Sequence, residues 1–389
     1  SGPLTGSRST ILSNICDNTN WNSGVTESSS NGSVKTFTGS FNSSSTWSGS
    51  AWSISGADYF TAIINGDYDT TLDGNFTTCN CTVNSTKTLT VNSGGTVTVE
   101  DDIVNNGSIL VESGGSVVQD SPSGTNTGTD YTVERATTSQ SSRHVFTYWS
   151  SPITSVTFSA VAVDAHLYYS FNAGSQSYVS GNSGTSMTPG IGYSLEGPDA
   201  GASYPGAQTA SFDGAAFNNG NISVGLSFSL DGDADNDWNL VGNPYPSAID
   251  ADTFLGDNST TVGGTIYFWT HNTIEDGTVD NTEDDYAMYN SGGGVAAITG
   301  GMVPDGNIAS TQGFFVQALA NGTVSDFFTN KMRIAASNTS FFRSAKNLIS
   351  RKKDRVWLNL TSDKSFSQIL VGFFDDATDG VDRKYDGIR

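Results

Sequence analysis

Residues 89–99 read LTVNSGGTVTV and residues 109–119 read ILVESGGSVVQ, so the second stretch repeats the first after 20 residues. The shift places Val91 on Val111 and superposes the two Ser-Gly-Gly triplets. Apolar and polar residues alternate on both sides of the glycines, as they do in strands that bury one face. A period of this length is typical of stacked coils in which each coil covers the apolar face of the next. The repeat therefore predicts a short β-solenoid.

The same shift extends the repeat toward the N-terminus. It carries Ile63 to Val83 and Val83 to Ile103, which predicts about three coils of the repeat. A set of ordinary hairpins is the alternative, because Ser-Gly-Gly also suits the tight turns of hairpins. The solenoid is the favoured interpretation.

The residues after about Thr125 follow a different pattern. Large aromatic residues alternate along longer stretches that are separated by long loops. This arrangement favours a β-sandwich or jelly roll over a continued solenoid. The stretches are HVFTYWSSPI (144–153), HLYYSF (166–171), GIGYSLEG (190–197), GTIYFWTHN (264–272) and QGFFVQAL (312–319).

The charge of the chain changes abruptly near residue 331. Twelve of the 17 Lys and Arg residues lie in 331–389, and such a step in composition indicates a boundary. The predicted fold class is all-β, with a short β-solenoid, a β-sandwich or jelly-roll-like domain and a C-terminal strand pair. The predicted divisions are an N-terminal β or irregular segment (1–55), the solenoid (56–125), the sandwich (126–340), a basic linker (341–355) and a C-terminal β segment (356–389).

Composition excludes several classes of protein. The chain has 39 Asp and Glu residues against 17 Lys and Arg, a formal charge of −22. This charge excludes a surface that tracks nucleic-acid phosphates, so no nucleic-acid partner is expected. No run of about 18 apolar residues is present, so no transmembrane segment is expected. With 21 Phe, 14 Tyr and 7 Trp residues, the chain is too aromatic for a disordered protein.

The three cysteines are too few for a scaffold built on disulfides. One bridge from Cys16 to either Cys79 or Cys81 is one interpretation, and buried free thiols are the other. Cys79 and Cys81 lie on one face if their segment is a strand. A zinc site is not expected, because no second pair of Cys or His follows at ligand spacing.

The sequence DGDADNDW at 231–238 carries aspartates at alternate positions: Asp231, Asp233, Asp235 and Asp237. A tight loop of this kind can direct several carboxylates at one Ca²⁺ ion. It is not an EF-hand, because Asn236 occupies the sixth position, where glycine is required, and Gly242 the twelfth, where glutamate is required. Calcium binding is therefore a hypothesis beside that of a solvated acidic loop.

Aromatic faces can bind the faces of sugar rings, so the seven tryptophans are candidates for glycan contact. Most are expected in the core. Trp47 and Trp52 lie in the polar stretch SSSTWSGSAWS and are the least core-like, so we predict any surface-glycan contact there.

Catalytic signatures are sparse. His144, His166 and His271 are the only histidines, and each lies among strand-like aromatic residues, where a packed histidine is the more frequent outcome. No phosphate-binding glycine loop, nucleophile elbow or HExxH motif is present. Two carboxylates suffice for a glycosidase, so 39 acidic residues leave that class open. The prediction is a protein that is not an enzyme.

Several motifs in fixed order resemble a block of large secreted surface proteins of Bacteroidetes, of the flavobacterial type. In those proteins the block precedes a C-terminal type IX secretion sorting domain, which this sequence lacks, so the expectation is that it was cleaved after export or lies outside the sequence. Residues 81–119, 131–138 and 146–153 resemble the segments on the N-terminal side of the block, and residues 356–387 resemble the segment on its C-terminal side. The motifs are WNLVGNPYPSAIDADTFL (238–255), GTIYFWTHN (264–272), YAMYNSGGGVAA (286–297), IASTQGFFVQA (308–318) and MRIAASNTSFFR (332–343).

The resemblance implies an extracellular or cell-surface location and export by the type IX route, and it implies no activity. The predicted function is a structural or adhesive protein, an adhesin or a surface-fibre subunit. The alternative is a carbohydrate-binding accessory region of a secreted polysaccharide-degrading enzyme.

The strand pair predicted at 356–376 bears on self-association. Two strands are unstable alone, and their exposed edges can pair with other strands. Residues 1–330 carry a net charge of −27, five basic minus 32 acidic, and residues 331–389 carry +5, twelve minus seven. Head-to-tail association into fibres is therefore one prediction, and a tail that belongs to a following domain is the other.

Overall fold

The fold is known from a computed structural model. It describes residues 16, 25–28, 34–37, 44–54, 61–229, 237–273, 282–335, 338, 355–361, 366–374, 377–378, 380, 382 and 385–387. The predicted all-β class is confirmed, because 48% of the chain is strand and 8% is helix.

The first part of the chain forms a β-solenoid of about four coils. Its strands stack in parallel into three sheets, in the orders β3-β4-β7-β10-β13, β5-β8-β11-β14 and β6-β9-β12, and β1 and β2 form a separate antiparallel pair. The strands are β1 (Val25–Ser28), β2 (Val34–Phe37), β3 (Ser44–Trp47), β4 (Thr61–Ile64), β5 (Tyr68–Asp69), β6 (Phe76–Thr78), β7 (Asn80–Val83), β8 (Thr88–Val91), β9 (Thr96–Val99), β10 (Ile103–Asn105), β11 (Ser108–Val111), β12 (Ser116–Gln119), β13 (Asn126–Gly128) and β14 (Tyr131–Gln140). A one-turn helix, α1 (Thr70–Asp73), forms one corner.

The 20-residue register is confirmed between the second and third repeats, where Val91 pairs with Val111. It is wrong for the two matches predicted toward the N-terminus. Val83 pairs with Asn105 and not with Ile103, and its partner on the other side is Ile64 and not Ile63. The corners differ in length from coil to coil, so the spacing varies around 20. A one-residue difference matters because it exchanges the buried and exposed faces of a strand.

The Ser-Gly-Gly corners meet two separate requirements. Gly94 and Gly114 have φ angles of +78° and +92°, which side chains other than that of glycine rarely adopt. The second glycine of each pair lies against the preceding coil. A Cβ atom on Gly115 would lie 2.2 Å from the Val91 carbonyl oxygen. The turn therefore requires the first glycine, and coil stacking requires the second.

The rest of the chain forms antiparallel sheets, as the predicted β-sandwich-like arrangement requires. Four strands associate as β15-β18-β16-β17, five as β21-β27-β23-β24-β25, three as β26-β22-β29, and two pairs as β20-β28 and β30-β31. The strands are β15 (Phe146–Trp149), β16 (Tyr168–Asn172), β17 (Ser177–Ser180), β18 (Tyr193–Glu196), β19 (Gly206–Gly214), β20 (Ile222–Leu226), β21 (Trp238–Gly242), β22 (Ala248–Asp250), β23 (Val262–Trp269), β24 (Tyr286–Asn290), β25 (Gly293–Val295), β26 (Asn307–Ile308), β27 (Gly313–Ala318), β28 (Gly322–Phe328), β29 (Arg333–Ile334), β30 (Arg355–Thr361) and β31 (Phe366–Gly372), with helices α2 (Phe158–Val161) and α3 (Ala251–Asp257).

The solenoid continues into the antiparallel part without a break. Strand β14 pairs in parallel with β11 and antiparallel with β19, so β19 covers the last coil. The solenoid sheet thus extends past the predicted boundary at residue 125. One apolar core runs from Val91 through Tyr131 to Phe212. The two parts therefore share a core rather than meeting across a linker.

A buried arginine joins the solenoid to the antiparallel part. Arg333 is 7% exposed, and its Nη2 donates to the Val117 carbonyl at 2.8 Å. Nη1 donates to Asn219 Oδ1 at 2.8 Å, and Nε donates to Ser247 Oγ at 3.4 Å. The guanidinium also lies over the Tyr245 ring, 4.8 Å from its centroid. Through these contacts one side chain connects β12 with the elements around β22.

Within the described residues, no helix is long and apolar enough to cross a membrane.

Candidate functional site

The predicted calcium loop falls largely outside the described residues. Asp231, Asp233 and Asp235 all lie there. Asp237 is buried just before β21, and its Oδ1 accepts a hydrogen bond from the Ser229 N–H at 2.7 Å, which closes the base of the loop. In the part of the chain that the structure describes, no group of three or more His, Cys, Asp or Glu side chains is placed to hold a metal ion. Calcium binding at this loop stays a prediction.

The structure decides between the alternatives for the cysteines. Cys16 and Cys79 form a disulfide, one of the two pairings that the sequence allowed. Cys81 is a free thiol, 1% exposed, in the core of the solenoid. Burial raises the pKa of the Cys81 thiol to about 12. At neutral pH Cys81 is therefore protonated and behaves as a small apolar side chain.

The two tryptophans proposed for glycan contact belong to one aromatic cluster. Trp47 was predicted to be exposed, and this is wrong: it is 5% exposed, and its indole N–H donates to the Asp67 carbonyl at 3.0 Å. The residues that follow Trp47 are polar because they form the turn that leads to Trp52, and they do not indicate that Trp47 itself is exposed. Trp52 is half-buried, with its ring 5.6 Å from that of Trp47 and 5.5 Å from that of Phe76. Only Trp52 keeps part of its surface open for stacking.

Two of the three histidines converge on one buried carboxylate. Glu196 accepts a hydrogen bond from His144 Nδ1 at 2.8 Å and another from the His166 backbone N–H at 3.0 Å. His166 Nδ1 lies 2.6 Å from Arg143 Nη1. The expectation of packed histidines is wrong here, since the side chains of His144 and His166 are each 56% exposed.

The buried cavity next to Glu196 is too small for a substrate, and neither histidine lines it. The cavity beside Glu196 measures about 10 Å³, which is space for about one water molecule. Glu196 also accepts from the Leu167 N–H at 3.1 Å, so its oxygens are engaged in holding the loop before β16. Glu196 therefore ties the end of β18 to the residues before β15 and β16.

His271 stands apart from the other two. It adopts a positive φ of 41°, and its Nε2 lies 3.5 Å from Thr138 Oγ1. Burial lowers the pKa of His271. The nearby Asp285 is buried and accepts a hydrogen bond from Thr299 Oγ1 at 2.5 Å. The Asp285 carboxylate also accepts from the Thr273 N–H at 3.2 Å, so it organises the backbone around it.

A tyrosine cluster that sequence reasoning missed lies between the two larger antiparallel sheets. The hydroxyl of Tyr148 lies 2.5 Å from that of Tyr178 and 2.7 Å from that of Tyr286. Burial raises the pKa of Tyr148 well above its usual value. The phenols satisfy one another's hydrogen bonds at the side of an aromatic core that includes Trp269 and Phe315, and Tyr178 is 43% exposed there. The cluster therefore belongs to the packing of the two sheets.

A broad polar cleft lies where the solenoid meets β20 and β28. Its volume is about 630 Å³, and it is lined by polar side chains that include Asp120, Asp326 and Lys331. Lys331 pairs with Asp257 at 2.8 Å, and the Asn221 amide donates to Asp326 at 2.9 Å. These lining groups thus bind one another within the antiparallel part of the chain.

The most distinctive surface is the C-terminal hairpin of β30 and β31. One side, its inner face, packs on the body: Trp357 Nε1 donates to the Gly294 carbonyl at 3.1 Å, and Arg355 Nη1 donates to the Gly292 carbonyl at 2.5 Å. The opposite side, which we call the outer face, carries six large apolar side chains that are each between 39% and 76% exposed. They are Val356, Leu358, Leu360, Ile369, Val371 and Phe373.

The outer face could be found in part from the sequence. The strand pair predicted at 356–376 is confirmed as Arg355–Thr361 and Phe366–Gly372, paired antiparallel. The alternation along each strand divides its side chains between two faces of the hairpin, but it does not show which face packs on the body. The contacts of Trp357 and Gln368 with the strand β25 decide this, since the Ala296 N–H donates to Gln368 Oε1 at 3.4 Å.

Comparison with known proteins yields one match. Searches among curated proteins and among solved structures each found no match. A family model described as a domain of unknown function, DUF8693, matches residues 29–389. This match covers the solenoid, the antiparallel sheets and the hairpin together, so the chain belongs to the DUF8693 family.

Proposed function

We propose that this protein is a structural or adhesive component of the cell surface, an adhesin or a surface-fibre subunit, that acts outside the cell and has no enzymatic activity. The observation that carries the proposal is the shared core of the solenoid and the antiparallel sheets. Stacked coils that continue into a packed β body form a stiff unit, and stiffness suits a part that must hold a position away from the cell. The type IX export route rests on the sequence resemblance.

The disulfide supports the proposed location. Cys16 and Cys79 are joined, and disulfides persist in oxidising compartments such as the cell exterior. The surface chemistry agrees with it, because only 14% of residues are charged and solubility depends on small polar side chains.

Surface location can be tested on intact cells that produce the protein. Added protease should remove the protein while a cytoplasmic marker survives, and alkylation before reduction should leave Cys16 and Cys79 unlabelled. A deletion strain should lose attachment to surfaces or lose surface fibres. Protection from protease together with reduced Cys16 and Cys79 would refute the location, and normal attachment with normal fibres would refute the role.

The carbohydrate-binding alternative is favoured by one observation, the half-exposed Trp52 at the first coil. Its ring lies 5.6 Å from that of Tyr68, which holds it in a fixed orientation. Calorimetry against a panel of soluble polysaccharides would test it. Binding that Trp52→Ala abolishes and Ile54→Ala preserves would support this alternative, since Ile54 is a neighbouring side chain that is 39% exposed.

A further inference from the structure

The outer face of the hairpin is continuous across both strands. Val356 lies opposite Val371, and Leu358 lies opposite Ile369 in the antiparallel register. Directly opposed side chains on one face are close enough to pack side by side. The six exposed residues therefore form one apolar surface and not scattered single side chains.

The extent of this surface is comparable to a protein interface. The exposed fractions add up to about three and a half fully exposed large side chains, which is roughly 500–700 Å² at about 150–200 Å² for each. Monomeric proteins rarely leave a larger apolar patch open to water. A standard interface buries about 800 Å² on each partner, so two such faces together come within the range of a stable interface.

The architecture of the hairpin also calls for a second layer. A two-stranded sheet is marginal alone, and its apolar faces need cover. Among the described residues, the body covers the inner face, through Arg355, Trp357 and Gln368, while the outer face stays exposed. Another sheet packed on the outer face at about 10 Å would complete a two-layer sandwich.

A second copy of the chain is the partner whose surface matches. Elsewhere in the described residues, exposed large apolar side chains number no more than two to an element or loop, such as Tyr178 and Val179 on β17. Residues 355–389 carry a net charge of −1, five basic minus six acidic, whereas residues 1–330 carry −27. Docking the outer face on the acidic body would place apolar groups against carboxylates. Docking it on its own counterpart joins two apolar, nearly neutral surfaces.

We propose that two copies of the chain associate through their outer faces, around a two-fold axis, so that the two hairpins form a four-stranded sandwich. Such a contact uses the same patch on both copies and closes on itself, so it produces a dimer and not a fibre. Dimerisation is independent of the proposed function, because a glycan-binding protein could use it equally well.

The test measures the mass of the 389-residue chain by sedimentation over a range of concentrations. We expect a reversible equilibrium between 40.8 kDa and twice that mass. Leu358→Thr combined with Ile369→Thr should raise the dissociation constant by roughly a hundredfold or more, because four large apolar side chains leave the centre of the dimer. Leu72→Thr is the matched control and should change nothing, since Leu72 is 82% exposed on α1, outside the outer face.

Trp357 reports whether the hairpin stays folded in the double variant. The share of the fluorescence that Trp357→Phe removes should be unchanged, because Trp357 is one of seven tryptophans and lies on the inner face against Gly294. A native chain that remains monomeric at high concentration would overturn the proposal. So would a dimer that survives the double substitution with unchanged affinity, or a polymer whose mass grows with concentration.

Discussion

Substitution of Arg333 by methionine would test whether the joint between the solenoid and the antiparallel sheets is a source of stability. Methionine keeps most of the length of the side chain and removes the guanidinium. The Val117 carbonyl and the Asn219 side chain would each lose a donor at 2.8 Å. The contact with the Tyr245 ring would also be lost.

These contacts determine the expected loss in the free energy of unfolding. Hydrogen bonds from a charged donor contribute about 1.5–3 kcal/mol each, and a partly desolvated cation–π contact about 0.5–2 kcal/mol. Burying the cation opposes these gains, and the same burial lowers the pKa of Arg333 to about 10. We expect a net loss of about 3 kcal/mol in the free energy of unfolding. For a unit of about 300 residues this lowers Tm by about 5 °C.

Thermal and urea unfolding of Arg333→Met should be compared with Lys331→Met. Lys331 is the matched control: it lies two residues away, carries the same charge and forms an ion pair with Asp257, but its side chain is 64% exposed. Exposed pairs contribute less than about 1 kcal/mol. Equal effects of the two substitutions would show that charge alone matters. A change of less than about 0.5 kcal/mol for Arg333→Met would refute the joint as a source of stability.

Three further predictions concern single sites. The pKa of the Cys81 thiol is raised from 9.0 to about 12 in the folded state, so the unfolded chain loses the thiol proton at lower pH. The free energy of unfolding should therefore fall by about 1.4 kcal/mol per pH unit between these two values. Urea unfolding of Cys81→Ala over the same pH range should show a smaller fall. Trp47→Ala should cost about 3–5 kcal/mol in urea unfolding, since Trp47 is 5% exposed in the core; a near-neutral result would contradict its packing. If Ca²⁺ binds at Asp231, Asp233 and Asp235, a hundredfold excess over Kd stabilises the protein by about 2.7 kcal/mol, so a chelator should lower Tm; an unchanged Tm would exclude the site.

The C-terminal hairpin shows how much of the structure can be predicted from the alternation of apolar and polar residues alone. The sequence predicted two strands near residues 355–376, because apolar residues recur at every second position. The hairpin also buries a residue that is not apolar, Gln368 at 9% exposed, while Leu360 is 76% exposed. The side that faces the body is chosen by hydrogen bonds from Trp357 and Arg355 to glycine carbonyls. Those partners lie about 60 residues earlier in the chain, and no local pattern identifies them.

The candidate sites also depend on contacts between residues far apart in the sequence. The sequence identified the cysteines, but two pairings were equally compatible with it, and the choice of Cys79 depends on where the solenoid corner brings its side chain. The polar neighbours of Trp47 indicated exposure, yet Tyr68 and Phe76 from the next coil enclose its cluster. The joint made by Arg333 had no sequence signal, because its acceptors lie up to 216 residues away.

The sequence by itself determined the all-β class, the solenoid and its glycine corners, because strand alternation and the conformational freedom of glycine are local properties. It also determined the change in charge near residue 331, because composition is a property of the sequence alone. The tertiary structure alone decided the varying length of the coils, the burial of Trp47 and the face on which the hairpin docks. Each of these depends on contacts between segments far apart in the chain, whose free energies are set by packing and desolvation in the folded state.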